Sequence, residues 1–136
     1  MSLFSTFDVA GSALSAQSLR LNLTASNLAN MHNVAGDPAE VYRARHALFR
    51  AANGTFSSAL AGVDVLGVVE SDSVPIERYD PGHPQANAQG LVYAANVNAM
   101  EEMANMISAS RSYQNNLEVI NTAKDLMLRT LSLGQG

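Results

Sequence analysis

The sequence predicts a mainly α-helical chain with a small β insert: long N- and C-terminal helices paired in a coiled-coil-like unit, with short strands and hairpins between them. Three observations predict it. Apolar residues recur at three- and four-residue spacing near both ends of the chain, the middle alternates, and proline and glycine punctuate that middle part. A length of 136 residues allows one modest core. The expected organisation is an inner helical unit from residues 1–36 and 91–136, with a small β-rich outer unit at 37–90.

The first helix follows from the series Phe7, Ala10, Leu14, Gln17, Leu21, Thr24, Leu28 and Met31, a heptad-like stripe with polar breaks at Gln17 and Thr24. Leu14, Leu21 and Leu28 are its expected packing residues. Leu19 and Leu23 fall off the stripe, and Asp8 and Arg20 are the only charges before Gly36, so a second face also expects a neighbour. In "SNLANMHNV", Asn27, Asn30 and Asn33 crowd the helix end. Asparagine accepts left-handed and capping conformations, and its amide can satisfy the last free carbonyls. Asn27 and Asn30 are also expected to bond across subunits without burying net charge.

The insert opens with alternation from Val41 to His46, alternates again in Val63-Asp64-Val65, and carries a turn in "DPGHP" at Asp80 to Pro84. A few short strands in hairpins, with a mobile Asn53-Gly54-Thr55 loop, are expected. The second helix is read from about Val97 to Leu133, ending at Gly134. Met103, Met106, Ser110, Tyr113, Leu117, Ile120, Met127 and Leu131 form its stripe, with Lys124 the awkward member. Met106, Tyr113, Leu117 and Ile120 are the expected partners of the first helix, and Arg111 and Gln114 the expected polar contacts to other subunits. At 1.5 Å per residue such a helix reaches roughly 50 Å, more than a compact domain of this mass needs. The methionines of this stripe suit core packing by their spacing, while the apolar faces left over favour packing between molecules.

Composition narrows the function. The net charge of -4 comes with eight scattered basic residues, which excludes a duplex-binding stripe, so nucleic acid is not an expected partner. Without cysteine there is no disulfide, zinc-thiolate site or thiol nucleophile. The most apolar internal window, Ala59 to Val69, is interrupted by Asp64 and too short to span a bilayer. His32, His46 and His83 sit in separate segments with no second ligand at helical or hairpin spacing, and Glu101-Glu102 point to different azimuths. No nucleophile elbow, phosphate-binding loop or dinucleotide fingerprint occurs. Neither catalysis nor a cofactor or metal is expected. The Asn22 and Asn53 glycosylation triplets are read as chance matches.

Three stretches carry a resemblance: "FDVAGSALSAQSLRLNLTASNLAN", "YDPGHPQANAQGLVY" and "EEMANMISASRSYQNNLEVINTAKDLMLRTLSLG". Together they cover over half the chain, and they resemble the bacterial flagellar axial proteins of rod and hook, most closely the proximal-rod family. The resemblance implies a non-enzymatic subunit that stacks helically around an export channel and transmits torque towards hook and filament. It implies as partners other flagellar rod and basal-body proteins, further copies of the chain, and the flagellar type III export apparatus. It places the chain in the periplasmic rod of the basal body, exported without a cleaved signal peptide, in keeping with Met1 to Phe7, which lack a basic n-region and an apolar core of signal length. A soluble coiled-coil adaptor or export chaperone would share the amphipathic helices and the acidic balance.

Overall fold

The computed structural model describes residues 3–52 and 61–134. Two helices dominate it: α1 (Leu3–Ala29) and α2 (Ala99–Leu133). Between them lie β1 (Val34–Ala35), β2 (Arg45–Ala51), β3 (Val63–Glu70), β4 (Ile76–Tyr79) and β5 (Leu91–Ala94). The strands form a β2–β3 hairpin and a three-stranded antiparallel sheet in the order β1-β5-β4. That second sheet draws β1 and β5 from the segments flanking the helices and β4 from the insert.

The helices pack against each other in opposite directions, because Arg20 reaches Asn105 while Asn27 reaches Glu102. The end of α1 and both ends of α2 have local causes. At the end of α1, the Asn30 Nδ2 donates to the Ser26 carbonyl at 2.8 Å, the expected use of an asparagine amide. No non-glycine residue among those described has positive φ, so the left-handed alternative is not used. At the start of α2, Asn98 Oδ1 accepts from the Met100 and Glu101 amides. Glu101 and Glu102 then occupy the first turn, where carboxylates face the positive end of the helix dipole. Gly134 follows the last turn as expected, its amide bonded to the Thr130 and Leu131 carbonyls, but at φ -84° it exploits no glycine freedom.

The first strand of the hairpin starts later than the alternation suggests. Val41 and Ala44 are buried in an irregular segment, where the Tyr42 amide is held by Asn33 Oδ1, and pairing begins only at Arg45. The hairpin register sets Arg45 against Glu70 and Arg50 against Asp64, and both pairs form exposed ion pairs. A bulge interrupts the register at Leu48/Phe49. The Asn53-Gly54-Thr55 loop lies outside the described residues.

The "DPGHP" stretch lies in the loop of the β4–β5 hairpin. His83 N donates to the Asp80 carbonyl and Asp80 N to that of Gly90. Gly90 sits at φ +73°, where a Cβ would also meet the Tyr79 ring at 3.0 Å and Pro81 at 3.1 Å, so both conformation and space require glycine there. Val92, on the central strand, is fully buried.

Candidate functional site

The most constrained side chain among the described residues is Asn27, with no exposed surface. Its Oδ1 accepts from the Tyr42 hydroxyl at 2.8 Å and the Arg45 amide at 2.9 Å. Its Nδ2 donates to the Arg45 carbonyl and to Glu102 Oε2, both at 3.0 Å. All four hydrogen-bonding positions of the side chain are therefore filled, and one amide ties together α1, the entry to β2 and the first turn of α2. Glu102 is itself 4% exposed, a burial tolerable only with a partner such as this. The Tyr42 hydroxyl also meets Ser26 Oγ at 3.2 Å, and the Arg45 guanidinium lies over the Tyr42 ring. Asn27 is thus committed within the subunit, a use the expected contact between subunits did not include. Asn30 is half-buried and bonded to its own helix.

The face of α1 that expected a second neighbour finds it within the chain. Ser12 Oγ accepts from the Val63 amide at 3.0 Å while donating to the Val9 carbonyl, and this anchors the β2–β3 hairpin on the helix. Farther along, Leu23 and Thr24 share a cavity of about 230 Å³ with Ala47 and Phe49 of β2. Ser12 is a positioning residue that sequence reasoning missed, since a serine inside a helix carries no such signal.

Along α2 the expected single stripe resolves into two adjacent lines. Glu102, Met106, Ala109, Tyr113, Asn116, Ile120, Ala123 and Met127, at strict alternation of four and three, are each buried or half-buried. The buried apolar members are Ala109 and Ala123, and on α1 the buried apolar residues are Ala10 and Ala16, so small side chains hold the most covered positions of both helices while larger ones are half-buried. Leu14, Leu21 and Leu28 are half-buried on α1, as are Met106, Tyr113 and Ile120 on α2. Leu117 differs: it is 43% exposed, one line round from the covered residues. With it, Met103, Ile107, Leu128 and Leu131 form an outer apolar ridge, and Lys124 points into water among them. Val119, Leu126 and Leu133 are exposed on the other flank. Arg111 and Gln114 are exposed and make no hydrogen bond or ion pair among the described residues.

An open groove of about 430 Å³ runs between Thr6 of α1 and the stretch Asn115 to Leu126 of α2. It holds Glu118 and no other titratable side chain. Among the described residues no cluster of His, Asp or Glu could hold a metal ion, and no helix is long and apolar enough to cross a membrane. The arrangement offers surfaces for packing rather than groups for bond making.

Comparison with known proteins agrees with that geometry. Residues 7–36, nearly all of α1 and the turn after it, match the family model described as flagella basal body rod protein. Residues 88–133, from β5 through α2, match that of the flagellar basal body rod FlgEFG protein C-terminal region. The chain is 51% identical to the flagellar basal-body rod protein FlgC of Salmonella typhimurium and 50% identical to that of Escherichia coli O6:H1, in each case over 99% of this chain and all of the relative. It is 33% identical to FlgC of Bacillus subtilis, again over 99% of this chain and the whole relative. The chain belongs to the FlgC family of flagellar basal-body rod proteins, structural subunits of the rod and not enzymes.

Proposed function

We propose that the chain is a proximal-rod subunit whose two long helices pair as a coiled-coil-like unit in an inner layer, stacked helically around the export channel, with residues 37–90 carried on the outside. The single observation that carries this reading is the surface of α2. Leu117, Leu126, Leu128, Leu131 and Leu133 are between 43% and 83% exposed in the subunit, a load of apolar surface that monomers rarely leave in water. Burial at about 25 cal/mol per Å² favours docking when several neighbours cover these ridges together. Non-closing, head-to-tail contacts of that kind build filaments, and their number along the lattice gives the stiffness needed to carry torque towards hook and filament.

Coiled-coil pairing is supported by the four-three spacing of the covered residues from Glu102 to Met127. Leu14, Leu21 and Leu28 meet Met106, Tyr113 and Ile120 in that pairing. Leu117, Arg111 and Gln114 face neighbouring subunits, as does the free edge of Asn30. The partners are other rod and basal-body proteins together with further copies of the chain. Family membership also supports passage through the flagellar type III export apparatus, without a cleaved signal peptide, to the periplasmic part of the basal body. Before docking, the end of α2 beyond Ala123 holds no buried residue, so it orders fully only in the rod.

The test is electron microscopy of basal bodies from the source bacterium lacking the gene, with a swimming assay alongside. Membrane rings without a completed rod or hook, restored by the intact gene but not by one truncated after Ser110, are the expected result. Normal basal bodies and normal swimming would overturn the proposal.

A further inference from the structure

Three faces of α1 can be told apart at 100° per residue, spaced about 120° apart around the helix. One packs on α2, one carries the hairpin through Ser12, and the third is open to solvent. The open face consists of Asp8, Gly11, Ser15, Ser18, Asn22, Ala25 and Ala29 at three-four spacing, each small, polar or both; Gly11 is half-buried, the others are exposed, and Asp8 is the only charge. On α2 the outer ridge has the same periodicity from Met103 to Lys124, and Lys124 is its only charge.

Resting on the rod reading above, we propose that the outer ridge of α2 in one copy seats antiparallel on the open face of α1 in a second copy, with Lys124 against Asp8. Setting that one pair fixes every other. Leu117 falls on Ser15, Ile107 on Ala25 and Met103 on Ala29, so each large side chain meets a small one. Gln114 falls on Ser18 and Ser110 on Asn22, so polar meets polar. Asn121 falls on Gly11.

Gly11 supplies an independent reason. It lies inside α1, where glycine weakens a helix, yet a Cβ added there would meet nothing within 4 Å. Among the described residues nothing accounts for it, whereas a neighbouring helix seated on that face does. The two surfaces are different, so the contact is head-to-tail and leaves one of each free for the next copy. Relative to the pairing inside the subunit, where Asn27 faces Glu102, the register is displaced by less than about one helical turn. Copies therefore sit nearly level, as lateral neighbours.

The chain has no cysteine, so paired cysteines report the contact directly. Two genes, one carrying Ser15→Cys and the other Leu117→Cys, are expressed together in the deletion strain, and purified basal bodies are oxidised and run on a denaturing, non-reducing gel. A disulfide-linked dimer that needs both genes is expected, and Ser15→Cys with Leu128→Cys should give none. Complete basal bodies without the dimer, or equal dimer from the second pair, would overturn this contact and leave the rod reading standing. Complete basal bodies in the deletion strain itself would instead overturn the rod reading. Charge exchange checks the register where cysteine variants fail to assemble: Asp8→Lys or Lys124→Asp alone should abolish swimming, and the two in one chain should restore it. Failure of the combined exchange, with the purified subunit still helical by circular dichroism, would also refute the contact. Gly11→Leu should block rod completion while leaving that spectrum unchanged.

Discussion

Replacing Asn27 with alanine should destabilise the isolated subunit more than any other single polar substitution. Four bonds of 2.8 to 3.0 Å disappear at once, and their partners are left in place. The Tyr42 hydroxyl keeps Ser26 Oγ as a partner, so its loss is partial. Glu102 Oε2 and the Arg45 backbone lose the bonds that accompany their burial against α1. At about 1–3 kcal/mol for each buried group left unsatisfied, the sum comes to about 3–5 kcal/mol, a large share of the roughly 5–15 kcal/mol that holds a domain together. Urea unfolding followed by circular dichroism measures it, and the midpoint should fall with little change in slope. Asn30→Ala is the internal control. It removes one bond to a Ser26 carbonyl that already accepts the Asn30 amide, so its cost should stay below about 1 kcal/mol. Equal effects of the two substitutions, or an Asn27→Ala cost under about 1 kcal/mol, would refute the claim that this amide joins the three elements.

Tyr42→Phe removes one donor from the same node and should cost about 1–2 kcal/mol in the same unfolding assay, with the far-UV spectrum unchanged. Gly90→Ala should lower the melting temperature, because left-handed backbone and the Tyr79 and Pro81 contacts together cost about 1–3 kcal/mol, whereas Gly11→Ala should raise it through about 0.5–1 kcal/mol of helix propensity. Hydrogen exchange on the free subunit should show slow amides in α1 around Asn27 and in α2 from Glu102 to Ala109, and fast ones beyond Ala123.

Both helices were legible because three- and four-residue spacing persists along them, and Gly134 and the asparagines marked their ends. The line that faces α1 was harder to read. A series such as Met103, Met106, Ser110 and Tyr113 satisfies the spacing for two neighbouring lines at once, and only the partner decides which is covered. Alanines make the covered centre, and alanine gives a weak hydrophobic signal, so the larger residues drew the eye to Leu117 and made Lys124 look misplaced. The same dependence on a partner hid the start of β2: alternation began at Val41, but Val41 and Ala44 are buried without pairing, and a strand is defined by the strand beside it. Asn27 stands out in the sequence as a polar side chain in an apolar helix, and its four hydrogen bonds are made within the subunit. A polar side chain at a helix end suits a cap, a subunit contact or an internal joint alike, and its spacing does not distinguish them.

That joint bears on why a rod subunit would use an amide where a leucine would pack. Apolar contacts are non-directional, so a hairpin held to a helix pair by them alone can rock with little change in buried area. Four hydrogen bonds on one planar group fix both the separation and the orientation of the three elements they connect. In a repeating assembly an angular error in one subunit passes to every contact it makes, so a rod demands that each copy hold the same angle. An ion pair in place of the amide would give similar directionality, but burying two charges adds a desolvation cost that a neutral side chain avoids. Asn27→Asp supplies the comparison. It is isosteric and keeps the oxygen that accepts from Tyr42 and Arg45, yet it replaces the NH2 that donates to the Arg45 carbonyl and Glu102 by a second carboxylate oxygen and turns a 3.0 Å hydrogen bond to Glu102 into like-charge contact. If directional bonding is what matters, this near-isosteric change should be at least as damaging as Asn27→Ala in the unfolding assay, and rods should fail to complete. If shape alone sufficed, Asn27→Asp would fold and assemble like the parent.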